Sequence, residues 1–251
     1  MIHFVGAGPG APDLITLRGA EHLRTAGMVI YAGSLVNPEL LKMTPDGCEI
    51  YNSANMTLEE VIEKMRSANE RNLSAVRLHT GDPSIYGAIR EQMDRLKELG
   101  IEYDITPGVS SFCAAAAAAE AEYTLPGVSQ TVIITRMEGR TPVPVKENLR
   151  SLASHGASIV LFLSSGLISE SCTALIEGGY SSKTKTAMVY KASWPEQKII
   201  RGTLETLPSQ AKEAGIKNTA LILVGDFLGD EYELSKLYDK TFTHAFRKGT
   251  E

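Results

Sequence analysis

One stretch of the sequence, Val76–Gly87, combines a strand-like start with a turn that carries a carboxylate. Apolar residues lead into Gly81-Asp82-Pro83, and from Ser84 onward apolar side chains recur at helical spacing, at Ile85, Ile89, Met93, Leu96 and Leu99. We expect this turn to present backbone N–H groups and the Asp82 carboxylate at the carboxyl end of a strand, where open α/β sheets bind ligands. The same residues also fit a structural turn in which Asp82 caps the following helix.

Two further loops of small residues follow predicted strands. They are Pro107-Gly108-Val109-Ser110-Ser111 and Ala192-Ser193-Trp194-Pro195. Both loops offer hydroxyl and backbone groups but few titratable side chains, whereas hydrolysis and phosphoryl transfer need a positioned base, nucleophile or metal. The pattern therefore favours a reaction that depends mainly on orienting two partners that are already activated.

A glycine-rich loop near the start, Gly6-x-Gly8-x-x-Ala11, formally matches the dinucleotide-binding fingerprint. However, Pro9 and Pro12 stand where that fingerprint needs the N–H groups of a helix's first turn. No acidic residue follows the next predicted strand, Met28–Tyr31, to hold a ribose. We favour a glycine-rich wall beside a flat substrate, ahead of a structural turn, and a nicotinamide-binding module is the least favoured interpretation.

Composition restricts the class of protein further. The 251 residues carry a net charge of −5 with no basic block, which disfavours nucleic acid as a partner. The start of the chain resembles no signal peptide, and no apolar run approaches the roughly 20 residues that a membrane span needs. The three cysteines are widely separated and the five histidines lack metal-ligand spacing such as HExxH. We therefore expect a cytoplasmic protein with reduced thiols and no metal site.

Strand and helix patterns alternate along the whole chain, which predicts an α/β fold. A break at Pro126-Gly127 indicates two α/β lobes, residues 1–125 and 126–251, each a mainly parallel or mixed sheet with flanking helices. A cleft between such lobes is a favoured place for a ligand. Locally, Thr16 and a Thr57–Glu60 capping box predict helix starts, Val145–Ser154 a helix, and the polar segment Arg136–Val145 a mobile loop.

Five strings, taken in chain order, resemble the successive motifs of the tetrapyrrole methylase family. They are Val5–Gly10, Thr80–Gly87, Pro107–Ser111, Ala192–Gln197 and Asn218–Ile222, and together they extend over essentially the whole chain. Within the family, Tyr31–Val36 and Gln130–Arg136 are similar to a branch that methylates a ring carbon of a precorrin. Methylation at another precorrin position, or of uroporphyrinogen III, RNA or a diphthamide precursor, stays open.

The resemblance implies two α/β lobes, usually in a homodimer, with S-adenosylmethionine in the cleft between them and a tetrapyrrole as substrate, with or without cobalt. It implies cofactor contacts at Pro9, Thr80, Gly81, Asp82, Ile85, Ser110, Ser111, Leu163, Ala192, Ala220 and Leu221. On this basis Asp82 binds a polar group of the cofactor and is not a proton shuttle. Asp82 and Tyr86 are the catalytic candidates, and no general base is assigned.

The glycine-rich first loop and the polar loop that begins at Arg136 would flank the macrocycle. The substrate-binding candidates are Gly8, Gly10, Arg18, Ser34, Arg136 and Arg140. Arg77 and Lys146 are further cationic candidates. Cationic side chains are included because the macrocycle carries carboxylates, and the guanidinium fork matches their geometry.

Overall fold

The structure, a computed structural model, describes residues 1–250 apart from the side chain of Ser34. It divides into two compact units, one of Met1–Ala115 with Lys191–Gln197 and the other of Ala116–Tyr190 with Lys198–Glu251. This division differs from the boundary expected between residues 125 and 126. The segment Lys191–Gln197 groups with the first unit because its side chains hydrogen-bond there, as when Trp194 donates to a main-chain carbonyl of the glycine-rich loop. The expectation that the first lobe carries the substrate side and part of the cofactor site, and the second lobe the rest of the cofactor site, stays a prediction.

The first unit contains a five-stranded sheet in which all neighbours are parallel. Its strands are β1 (Ile2–Gly6), β2 (Met28–Tyr31), β3 (Glu49–Asn52), β4 (Ala75–His79) and β5 (Tyr103–Thr106), in the order β3-β2-β4-β1-β5. Its helices are α1 (Leu17–Arg24), α2 (Leu58–Glu70), α3 (Ile89–Glu98) and α4 (Ser111–Ala118), the last of which crosses the division between the units. Phe4 and Val5 are successive residues of β1, so their side chains point to opposite faces of the sheet. They belong to two separate apolar clusters, and both faces of this sheet are therefore buried.

The second unit contains a five-stranded mixed sheet. Its strands are β6 (Val132–Arg136), β7 (Ser158–Phe162), β8 (Lys185–Tyr190), β9 (Lys198–Thr203) and β10 (Ala220–Val224), in the order β6-β7-β10-β8-β9. Its helices are α5 (Leu149–Ala153), α6 (Ile168–Glu177) and α7 (Leu207–Glu213). Only the β6–β7 pair is parallel. The apolar core of this unit includes Ile159 and Leu161 of β7 and Leu175 of α6, all fully buried. The α/β fold class predicted from the alternation of strands and helices is confirmed.

The predicted caps form as expected. Thr16 begins α1 and accepts a hydrogen bond from the Gly19 N–H at 3.1 Å. At the start of α2, the Thr57 N–H donates to the Glu60 carboxylate at 2.7 Å and the Thr57 hydroxyl accepts from the Glu60 N–H at 3.2 Å. A cap of this kind stabilises a helix by about 1 kcal/mol, so local sequence alone fixes where these two helices begin.

Two helix predictions are wrong in detail. The helix after Asp82 begins at Ile89 and not at Ser84, because Tyr86 and Ala88 hold left-handed backbone with φ of 56° and 50°. The predicted helix Val145–Ser154 is interrupted at Asn148, whose extended backbone separates a short 3₁₀ turn from α5. Within residues 1–250, every helix is too short or too polar to cross a bilayer.

Candidate functional site

The carboxyl ends of β1, β4 and β5 meet through three glycines, Gly6, Gly81 and Gly108, which we call the glycine junction. A Cβ atom added to Gly108 would lie 2.1 Å from the Gly81 carbonyl oxygen, and one added to Gly6 would lie 2.5 Å from the Gly108 Cα. No side chain fits at these distances. Since β4, β1 and β5 are adjacent parallel strands, their loops emerge at one edge of the sheet, and glycine lets the backbones touch there.

Asp82 ties two of these loops together. Its Oδ2 accepts a hydrogen bond from the Gly108 N–H at 2.8 Å, and its Oδ1 accepts from the N–H of Ser84 at 2.9 Å and from the Ser84 hydroxyl. Burial on its own would raise the pKa of the Asp82 carboxyl, but these hydrogen bonds lower it below its ordinary value. The carboxylate is therefore ionised at neutral pH. It fixes the turn against the Gly108 loop and does not cap α3, which begins seven residues later.

The glycine-rich loop is fixed by its own backbone contacts. The Gly81 N–H donates to the Gly8 carbonyl at 2.8 Å, and Gly8 has a φ of +77° that favours glycine. A Cβ on Gly10 would lie 2.1 Å from the Trp194 ring, and the Trp194 Nε1–H donates to the Pro9 carbonyl at 3.0 Å. Backbone conformation at position 8 and packing against Trp194 at position 10 therefore account for these two glycines. Contact of these residues with substrate stays a prediction.

The structure lacks the helix that dinucleotide binding requires directly after the glycine-rich loop. In that motif a helix begins directly after the glycines and points its N-terminus at the pyrophosphate. Here only a short 3₁₀ turn, Pro12–Leu14, follows, and α1 begins at Leu17 behind its Thr16 cap.

Two polar side-chain atoms at the same strand ends have no hydrogen-bond partner among the described residues. They are His79 Nε2 at the end of β4 and Thr106 Oγ1 at the end of β5, and both atoms are buried. Burial, followed by the charge of Arg77, lowers the pKa of His79 to about 3, so its imidazole is neutral. Buried polar groups are normally hydrogen-bonded, so such orphans are exceptions that a ligand can resolve. Sequence reasoning missed both residues; their place at the ends of predicted strands was the available signal.

The structure brings several predicted cofactor residues together around the glycine junction. A Cβ on Gly81 would lie 3.5 Å from the Ser111 nitrogen and 3.6 Å from the Ser110 Cα. Ser110 is buried, and Thr80 and Ile85 are half-buried. Ala192 is buried in the turn whose next residue, Ser193, accepts a hydrogen bond from the Ala11 N–H at 3.0 Å.

The remaining predicted cofactor residues lie in the second unit. Leu163 follows the end of β7 and is 66% exposed, which is unusual for leucine at the end of a buried strand. Ala220 and Leu221 are buried at the start of β10.

Left-handed backbone is concentrated in the predicted ligand segments. Eight non-glycine residues of the described chain have positive φ, and six of them lie in or beside these segments: Tyr86, Ala88, Leu163, Lys191, Ser193 and Thr219. Each such residue costs about 1–3 kcal/mol and persists only where its surroundings enforce it, a pattern typical of ligand sites.

The cationic candidates have different surroundings. Arg136 donates to the carbonyls of Thr141 and Pro142, at 3.1 and 2.7 Å, and so closes its own loop. Arg77 is buried and donates to the Gln92 side chain at 3.0 Å and to a β2 carbonyl, which makes it an internal support. Arg18, Arg140 and Lys146 are exposed, whereas the side chain of Ser34 lies outside the described atoms. Tyr86 is half-exposed.

Fold and strand-end loops together define an α/β protein whose strand-end loops consist mainly of glycine and small polar residues that contact one another through their backbones. The sequence profile of the tetrapyrrole (corrin/porphyrin) methylases matches residues 1–208, and the chain belongs to this family. It is 55% identical over 245 residues to the cobalt-precorrin-4 C(11)-methyltransferase of Methanocaldococcus jannaschii, covering 97% of this chain and 95% of that protein.

Solved structures agree with this assignment. The X-ray structure of a cobalt-precorrin-4 methyltransferase, described as a cobalamin biosynthetic enzyme, superposes with a TM-score of 0.89 at 47% identity, covering 91% of this chain and 96% of that one. The uroporphyrin-III C-methyltransferase of Thermus thermophilus, complexed with S-adenosylhomocysteine, gives a TM-score of 0.74 at 26% identity, with 90% and 92% covered.

Proposed function

We propose that this protein is an S-adenosylmethionine-dependent methyltransferase that methylates C11 of precorrin-4, or of its cobalt complex, to give the corresponding precorrin-5 in cobalamin biosynthesis. Support comes from the 55% identity to a protein named for this reaction, against 26% to one named for uroporphyrin-III methylation. The strings Tyr31–Val36 and Gln130–Arg136 resemble the C11 enzymes as well. Methylation at C17 or C20, or of uroporphyrinogen III, is the alternative.

The glycine junction is the observation that carries the cofactor proposal. Backbone atoms of Gly81 and Gly108 replace side chains there, and the orphaned Thr106 hydroxyl at the adjacent strand end offers a polar partner. Among the eleven proposed cofactor residues, only Asp82 is charged, and its carboxylate is ionised. An anionic and otherwise neutral lining suits a cationic sulfonium, which a lysine or arginine would repel. These residues therefore fit S-adenosylmethionine.

The proposed mechanism works mainly by placement. S-adenosylmethionine supplies a methyl group on a sulfonium that is already activated for displacement. Asp82 holds the Gly81 turn against the Gly108 loop, so the backbone of both loops is fixed before any ligand arrives. Small residues at Ser110, Ser111 and Ala192 allow close approach of a bulky ligand and exclude water once it is bound. The neutral His79, with a pKa of about 3, is a weak proton acceptor, and no base is assigned.

The remaining parts of the proposal concern substrate and assembly. Arg18, Arg136 and Arg140 are proposed to bind the acidic side chains of the macrocycle. Pro9, Thr80, Ile85, Leu163, Ala220 and Leu221 complete the proposed cofactor contacts. We also propose that the protein is cytoplasmic and that it forms a homodimer; sedimentation of the purified chain tests the homodimer directly.

The decisive experiment is incubation of the protein with cobalt-precorrin-4 and methyl-labelled S-adenosylmethionine, followed by NMR of the product. We expect one new methyl group, at C11. Transfer to C17 or C20 would overturn the regiochemistry while leaving the family reaction intact. A parallel melting experiment separates cofactor binding from catalysis: S-adenosylhomocysteine should raise the melting temperature, and NAD should leave it unchanged. The reverse pattern would contradict the methyltransferase proposal.

A further inference from the structure

Two histidines and one aspartate of the first unit come together away from the proposed cofactor loops. His3 in β1 and Asp104 in β5 are register partners in neighbouring strands, and His3 Nδ1 lies 2.9 Å from Asp104 Oδ1. The His22 ring, on α1, stacks on the His3 ring with 4.0 Å between centroids and 19° between planes. One ligand atom from each residue lies within 4.8 Å of the others.

One nitrogen of this cluster has no partner. His22 Nε2 is buried, and no hydrogen-bond acceptor or donor reaches it within the described part of the chain. Leaving a buried polar atom unsatisfied is costly, so such an atom is exceptional in a native protein. Two imidazoles and a carboxylate therefore lie close together, and one ring nitrogen is unused. Because an imidazole binds a metal in the plane of its ring, the stacked rings cannot both bind one ion as they stand, and the His22 ring would turn about its side-chain torsions to share an ion with His3 and Asp104.

The cluster is also accessible from solvent. His3 is 9% exposed and the Asp104 side chain is 43% exposed, so an ion can enter from the edge strand.

We propose that His3, His22 and Asp104 bind a divalent transition metal ion, with Zn²⁺ as the representative. Two imidazole nitrogens and one carboxylate oxygen are ligands that Zn²⁺ and Co²⁺ accept, and three protein ligands leave one coordination position open. The bound ion would join β1, α1 and β5 and stabilise the first unit.

This site is separate from the cofactor loops. His3 lies near the amino end of β1, whereas Gly6 of the glycine junction is the last residue of this strand. Three residues of extended strand separate the two positions by about 10 Å. The proposal therefore does not depend on the methyltransferase proposal. It also revises the expectation of no metal site, which rested on the absence of short ligand spacings. The three ligands stand at positions 3, 22 and 104, and only the parallel β1–β5 pairing and the packing of α1 unite them.

The test is a titration of the full-length, chelator-treated protein with Zn²⁺, read by calorimetry and by thermal melting. We expect saturable binding of one equivalent and a rise in melting temperature. His22→Gln should weaken binding by more than about 100-fold, since even losing a residue that supports a metal ligand costs about 10–100-fold. His155→Gln, an exposed histidine of the second unit, is the matched control and should bind like the unaltered protein.

Co²⁺ provides an independent readout, because its visible absorption reports nitrogen and oxygen coordination. Asp104→Asn, on an edge strand, keeps the proposal testable if His22→Gln does not fold; its Co²⁺ spectrum should change and its Zn²⁺ affinity should fall. Absence of saturable binding by the unaltered protein would overturn the proposal. So would binding that survives both substitutions, or that His155→Gln abolishes.

Discussion

The Asp82 carboxylate accepts a hydrogen bond from the Gly108 N–H at 2.8 Å, and this single bond joins two strand-end loops that are 26 residues apart in sequence. The same side chain also holds its own turn through Ser84. Asp82 therefore holds the two proposed cofactor loops against each other through hydrogen bonds within the protein. A direct contact with the cofactor would be an additional role for a group whose two oxygens are already engaged.

Asp82→Asn tests this role. The amide presents an N–H₂ group to a backbone donor or to Ser84, so at least one charge-assisted hydrogen bond is lost. We expect the free energy of unfolding to fall by about 1–3 kcal/mol and S-adenosylhomocysteine to bind more weakly. Urea unfolding and calorimetry measure the two effects. Asp46→Asn, at an exposed turn, should change neither. Intact stability with intact affinity in Asp82→Asn would contradict the proposed role.

Gly108→Ala tests the glycine junction. The new methyl group would lie 2.1 Å from the Gly81 carbonyl oxygen, and backbone cannot move aside as a flexible side chain can. We expect destabilisation of about 1–3 kcal/mol or more, measured by urea unfolding, together with loss of methyl transfer. Gly166→Ala is the control, because its Cβ would meet its nearest neighbour at an ordinary 3.4 Å. Equal stability of the two variants would rule out the close approach.

Leu163→Gly separates backbone strain from side-chain contact. Leu163 has a φ of 52° and is largely exposed, so glycine relieves strain of about 1–3 kcal/mol while losing little buried area. The flexibility of glycine in the unfolded chain offsets part of this gain. We expect unchanged or higher stability, but at least about tenfold weaker binding of S-adenosylhomocysteine, as loss of about 1.4 kcal/mol implies. Glu120→Gly, at a φ of 51°, should reproduce the effect on stability alone.

His79 should give stability a marked pH dependence. Its folded pKa of about 3 lies below the unfolded value of about 6.5, so the unfolded chain binds the extra proton between these two values. The resulting stability is complete above about pH 6.5 and is lost as the pH falls toward 3. Urea unfolding at several pH values should show this loss, and His79→Asn should flatten it. His155→Gln should retain the slope; a slope that survives in His79→Asn would assign it to other groups.

Removal of both arginines from the loop after β6 tests substrate binding. Arg136 is half-buried and Arg140 is exposed. Because both guanidinium groups can form charge-assisted pairs with macrocycle carboxylates, Arg136→Ala/Arg140→Ala should raise the KM for the precorrin by about tenfold or more. The KM for S-adenosylmethionine should not change. Arg150→Ala, an exposed arginine on α5, is the control. Unchanged substrate affinity in the double variant would remove this loop from the substrate site.

Local signals predicted much of the fold. Thr16 and the Thr57–Glu60 box marked two helix starts because a cap depends on residues only three positions apart. The helix after Asp82 was placed too early, since apolar spacing continues through Tyr86 and Ala88 although their backbone is left-handed. That conformation is enforced by the surrounding structure, which no local pattern records.

The site was predictable only in part. Small residues after successive strands indicated the loops, because parallel strands end at one edge. The partners within those loops were not predictable: the contact of Gly10 with Trp194 joins positions distant in sequence, and so does the cluster of His3 with Asp104. Such pairs depend on strand order, which single-sequence periodicity does not determine.

The indole contact at the glycine-rich loop has an optical consequence. Trp194 is the sole tryptophan of the sequence, with its N–H fixed on the Pro9 carbonyl and its ring against Gly10. Tryptophan emission, excited at wavelengths that the nine tyrosines do not absorb, therefore arises at one known position. Any ligand that displaces the first loop or the Ala192–Pro195 turn should shift that emission, so the protein carries its own reporter for stopped-flow measurements of ligand binding, without an attached dye.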